Sequence, residues 1–124
     1  MSEAARATLL PVALVVIGLV FIFAIYPLSI VWPSGWTWGH GQSHYLMMII
    51  GVYATLGVFL LLAARDPAAH RSLIWFAIWS SVVHAAIMGG QAYADPSERG
   101  HLLGDVPALL LIAIVLVALT PRRA

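Results

Sequence analysis

Four long apolar runs set the pattern of this chain, at residues 9–32, 44–64, 72–93 and 101–120, with short polar stretches between them. Each run matches a bilayer core of about 30 Å, which takes about 20 helical residues to cross. The pattern predicts an all-α fold: one domain over residues 1–124, an integral membrane four-helix bundle. The connections are too short for a folded domain outside the membrane, and short connections favour up-down-up-down, antiparallel neighbours.

Local signals mark the ends of the runs. Pro27, after Tyr26, should kink the first, because it removes a backbone donor. That run is too long for a signal-peptide core and lacks a small-x-small cleavage site, so it is expected to be retained. Ser43 is a fitting N-cap for the second. Gly89-Gly90 lie near the end of the third, and Pro121 closes the fourth. The fourth starts irregularly: Asp105 as N-cap with Pro107 in the first turn predicts a regular helix of only about 22 Å. His101–Gly104 must then complete the crossing, or the bilayer must thin there. Asp66-Pro67 and Asp95-Pro96 each precede a run, as a cap followed by proline at the first helical position.

Composition agrees with lipid as the solvent. Hydrophobic residues make up 62% of the chain and charged ones 9%, against about a quarter charged in soluble domains. A net charge of +1 offers no basic surface for nucleic acid. The absence of cysteine excludes disulfide exchange, iron–sulfur ligation and thiolate metal sites. Arg6, Arg65, Arg71, Arg122 and Arg123 flank the runs on one side, and only Arg99 lies on the other, beside Asp95 and Glu98. Positive residues favour the cytoplasmic side, so both termini and the 65–71 loop are expected there. The 33–43 and 94–100 loops then face outward, with Trp32, Trp36 and Trp38 as an interfacial aromatic belt.

The polar residues of the runs carry the candidate chemistry. His84 lies in the middle of the third run, and an ionisable ring at membrane depth is costly unless paired or turned to the protein interior. Ser80, Ser81, His84, Met88 and Gln91 recur at helical spacing there, as do His44, Met48, Gly51 and Thr55 on the second run; His101 and Asp105 are one turn apart on the fourth. With the expected topology, most of these fall in the outward half. They predict an outward-opening polar pocket for a small amphipathic ligand, a lipid or quinone. His84 would form its floor, with Gln91, Asp105, His44, Met88 and Ser81 around it. The plainer reading makes His84 a core histidine bonded to Ser, Thr or a backbone carbonyl on a neighbouring helix, and Asp105 a helix cap.

Three other readings stay open. His44, Met47, Met48, His84, Met88 and His101 have the soft His/Met chemistry of a Cu(I) site, although His84 lies deeper than His44 and His101. Haem would need two histidines facing each other at one depth. Small-residue spacings such as Ala85–Gly89 and Ala86–Gly90 allow close helix contact. They fit a homo-oligomer, or a structural subunit of a larger membrane complex. The first run has no ionisable residue, unlike small four-helix drug exporters, and no nucleophile–base–orienter set is visible, so hydrolytic catalysis has little support. His40 and His70 are expected to be solvated loop residues.

Several motifs together resemble a known family. They are Tyr26-Pro27, the stretch from Trp32-Pro33-Ser34-Gly35-Trp36, His44-Tyr45, Ala63-Ala64-Arg65-Asp66-Pro67, His70-Arg71-Ser72-Leu73-Ile74-Trp75, Ser80-Ser81-Val82-Val83-His84 and Gly100-His101-Leu102-Leu103-Gly104-Asp105-Val106-Pro107. This set resembles a family of small bacterial membrane proteins known only as a domain of unknown function. The resemblance implies a four-span fold in the bacterial inner membrane. It implies no activity and no cofactor.

Overall fold

The computed structural model describes residues 1–38 and 43–122. Two residues weighed in the sequence, His40 and Arg123, lie outside them. Among the described residues the fold is all-helical, with no strand. Helix α1 (Glu3–Phe23) starts at Ser2, whose side chain accepts a hydrogen bond from the Ala5 N–H. It stops at Phe23, and α2 (Ile25–Val31) takes over after a turn at Ala24. The break falls four residues before Pro27, at the carbonyl that a proline nitrogen cannot serve. A single turn, α3 (Pro33–Trp36), follows.

The other three helices are α4 (His44–Ala63), α5 (Arg71–Ala94) and α6 (Asp105–Leu119). Ser43 caps α4, accepting from the Leu46 N–H. Short 3-10 segments precede α5 and α6, at Pro67–His70 and Pro96–Leu103. Asp66 accepts from the Ala69 N–H and Asp95 from the Ser97 N–H, with proline first in each segment. With these segments included, four helices are long and apolar enough to cross a membrane. The chain is a multi-pass membrane protein.

Packing pairs α1 with α4 and α5 with α6; α1 also meets α6, whereas α4 and α5 touch little. In lipid, helices gain little from the hydrophobic effect and associate through close contact. Gly18 and Gly57 provide that contact between α1 and α4. A Cβ on Gly57 would lie 2.6 Å from the Gly18 carbonyl oxygen, and one on Gly18 would lie 2.8 Å from that of Gly57. Leu14, Leu60, Ile74 and Leu116, one from each span, are fully buried in the core beside this crossing. At the same end, an Arg71 guanidinium N–H donates to the Pro121 carbonyl (2.8 Å), joining the start of α5 to the end of α6.

The opposite end is closed by backbone contact. The segment Pro96–Leu103 packs on α3 and α5. Gly100 lies against the Ser34 backbone and Gly104 against that of Gly35, leaving no room for a Cβ at either glycine. This approach brings the loop after α2 down onto the start of α6.

Candidate functional site

Below that closure the four spans separate around a cavity of about 310 Å³. Its apolar lining includes Phe21, Ile25, Leu109 and Ile112. Its polar lining includes Tyr53 from α4, His84 and Gln91 from α5, and Asp105 from α6. Trp36, Trp38 and Tyr45 complete the wall near the closed end. Tyr45, in the first turn of α4, is 80% exposed.

Two hydrogen-bonded groups gather much of this polar lining. In the first, the Tyr53 hydroxyl bonds to His84 Nδ1. The two rings also stack, with centroids 5.6 Å apart and planes 30° apart. Phe21 meets Tyr53 edge-on, with centroids 5.0 Å apart, which fixes the phenol ring from its other side. Phenol is a stronger acid than neutral imidazole, so the pairing is assigned with the O–H donating to Nδ1, which puts the ring proton on Nε2. An orienting partner on one imidazole nitrogen thus decides what the other presents.

The second group is centred on Asp105. Trp38 Nε1–H donates to Asp105 Oδ2 (3.0 Å). His101 Nδ1 lies 2.9 Å from Oδ1 and 3.0 Å from Oδ2 of the same carboxylate. On the other side of the ring, His101 Nε2 lies 3.0 Å from the Thr37 carbonyl and 3.2 Å from Glu98 Oε2. Acceptors therefore face both nitrogens of a fully buried ring. Trp38 stacks on it, with centroids 3.9 Å apart. The Thr37 hydroxyl donates to the Ser29 carbonyl (2.7 Å), so the loop holding Trp38 is anchored to α2.

These positions differ in part from the expected pocket. His84, Met88, Gln91 and Asp105 line the one cavity; Ser81 is buried off its wall, and His44 is exposed away from it. The His44, Met48, Gly51 and Thr55 face of α4 points outward. Leu46, Ile50 and Tyr53 face the cavity instead. The proposed soft-metal residues are dispersed: Met47 and Met48 are exposed with His44, and His101 is enclosed behind Trp38. Among the described residues no group of three His, Asp or Glu side chains is placed to hold a metal ion. Asp105 is the first residue of α6, and its carboxylate makes no capping bond; it is engaged by Trp38 and His101.

Tyr53, Trp36 and Trp38 are among the wall residues that sequence reasoning did not single out for the site. For Tyr53 a signal was present, a hydroxyl-bearing aromatic within an otherwise apolar run, since a buried phenol needs a partner. Trp38 belongs to a segment expected to sit in the interface. Only its long-range contact with Asp105 places it on the cavity.

Neither the curated proteins nor the solved structures contain a match to this chain. A family model does match, over residues 4–124. On that near-complete coverage, the chain belongs to DUF6632, a family of unknown function.

Proposed function

We propose that this membrane protein holds a small amphipathic molecule, a lipid or a quinone, in the cavity between its four spans. One observation carries the reading: the cavity lining combines the polar side chains of Tyr53, His84 and Asp105 with the apolar ones of Phe21, Ile25, Leu109 and Ile112. Binding pockets of about 300–1,000 Å³ commonly combine apolar walls with a few placed polar groups. At about 310 Å³ the cavity suits a head group and the start of a tail. The remaining tail would leave between α4 and α5, where packing is sparse.

The arginines supply the orientation. Arg65 and Arg71 border the Pro67–His70 segment, and the Arg71–Pro121 bond brings Arg122 to the same end. On the positive-inside rule this end is cytoplasmic, with both termini, and the cavity end faces outward in an up-down-up-down bundle. The membrane proposed is the bacterial inner membrane.

The test is retention. Protein purified in lipid nanodiscs is analysed by native mass spectrometry beside His84→Ala and Ala108→Phe, the latter adding a ring to the cavity wall. The wild-type chain should retain a small molecule that both variants lose, with His84→Ala melting close to wild type. Full retention in His84→Ala together with a large loss of stability would make His84 a packing residue and defeat the reading.

A further inference from the structure

We infer that the cavity takes an uncharged molecule bearing a carbonyl-type acceptor, a quinone-like ring, with His84 Nε2–H as the donor that reads it. This rests on the cavity reading above and narrows it. The hydrogen-bonding capacity left over on the cavity wall selects the ligand. Asp105 already holds Trp38 Nε1 and His101 Nδ1. His84 Nδ1 is taken by Tyr53. Nε2 has no hydrogen bond among the described residues, yet it is not among the polar atoms closed off without a partner. The cavity lining therefore holds a donor that no protein acceptor takes and that a ligand can reach.

Charge and hydrogen-bonding capacity separate the competing head groups. A phosphate would approach Asp105, with Glu98 behind it across the His101 ring, and no arginine lines the cavity among the described residues. A quaternary ammonium can rest on aromatic faces, but it has no lone pair to accept from the His84 Nε2–H. A flat neutral ring bearing a carbonyl avoids the carboxylates and supplies that acceptor. It fits between aromatic walls, where Trp36, Trp38 and Tyr45 approach, and ring-on-ring packing contributes beyond area alone.

The experiment titrates full-length protein in detergent micelles with a decyl-substituted benzoquinone and reads the saturable component of binding. Ala108→Phe serves as the blank. Three comparison probes are the dimethoxy analogue without carbonyls, phosphatidylglycerol and dodecyltrimethylammonium. The expected result is saturable quinone binding, at least about tenfold tighter than any comparison probe. His84→Leu should weaken it by about tenfold, and His84→Gln, which restores an N–H donor, should recover it to within about threefold. The dimethoxy comparison uses the wild-type chain alone, so it decides the question even where a variant misfolds.

Equal affinity for the quinone and its dimethoxy analogue would overturn the acceptor inference, as would tighter binding of the phospholipid or the ammonium. Either result leaves the cavity reading standing, provided Ala108→Phe abolishes the binding. Absence of saturable binding by all four probes would instead overturn the cavity reading itself.

Discussion

The two ends of the bundle use the same four spans to opposite effect. Toward the Arg71–Pro121 bond, Leu14, Leu60, Ile74 and Leu116 close completely, and Gly18 and Gly57 let two backbones touch. Toward Trp38 the spans part around a cavity, and two hydrogen-bonded clusters gather much of its polar lining. Lipid tails are as apolar as leucine, so neither end is held by exclusion of water from a core. A closed core and a glycine crossing dominate one end; at the other, backbone contact at Gly100 and Gly104 is joined by buried hydrogen-bonded clusters. The difference separates a structural half from a half organised around a space, and mutation can test each by its own kind of damage.

The largest effect should come from the hydrogen-bonded end. His101→Phe keeps a ring on Trp38 but removes both nitrogens. The Thr37 carbonyl loses a donor, and Asp105 loses the partner that meets both its oxygens. Removing one member of a buried pair is costly because the other stays buried. A loss of about 3 kcal/mol is expected in reversible unfolding in mixed micelles. A loss no larger than that of an exposed substitution would mean the cluster is solvated.

The contact end offers a matched pair of substitutions. Gly57→Ala places a methyl 2.6 Å from the Gly18 carbonyl oxygen, so α1 and α4 must separate. Overpacking of this kind should cost about 2 kcal/mol. Gly51→Ala, six residues earlier on the same helix, meets nothing within 4 Å. It should be neutral or stabilise by about 0.5 kcal/mol through helix propensity. Equal melting temperatures for the two variants would remove the close crossing from the account.

Tyr53→Phe tests the cavity more gently. It deletes one hydroxyl and its bond to His84 and keeps the edge contact with Phe21. Interhelical side-chain bonds in membranes average about 0.6 kcal/mol, so the stability loss should be near that value. The sharper readout is the nitrogen NMR spectrum of His84. Without its partner the ring should populate both tautomers, where the wild-type ring holds one. An unchanged spectrum would show that another contact orients His84.

What was legible in the sequence was what is local. Apolar runs fixed the spans, Pro27 fixed the break at Ala24, and Ser43, Asp66 and Asp95 fixed three caps. Helix rotation was not legible. The α4 run is apolar almost all round, so its own pattern does not choose a buried face. The Gly18–Gly57 contact does, turning His44 and Met48 outward and Tyr53 inward. Asp105 failed for a related reason. Its position at the start of a helix fits a cap, whereas its actual partners include Trp38, 67 residues away in sequence.

The smallest effect lies beyond the cavity, in the turn before the last span. The Asp95 carboxylate accepts from the Ser97 hydroxyl (2.7 Å) and the Ser97 N–H (2.9 Å). Those bonds, the hydroxyl first, hold its pKa below the ordinary aspartate value. A carboxylate depressed in the native state stabilises the fold above its unfolded pKa, about 4, and that contribution is lost as pH falls through the lower native value. Wild type and Asp95→Ala should therefore differ slightly in melting temperature at pH 7 and converge as the pH drops below about 4. The group is fully exposed, so solvent screening keeps the gap small. A gap that persisted unchanged at pH 2 would assign the difference to the backbone of the turn, not to the charge. A gap as wide as that of His101→Phe would erase the contrast between a bond made in solvent and one made behind Trp38.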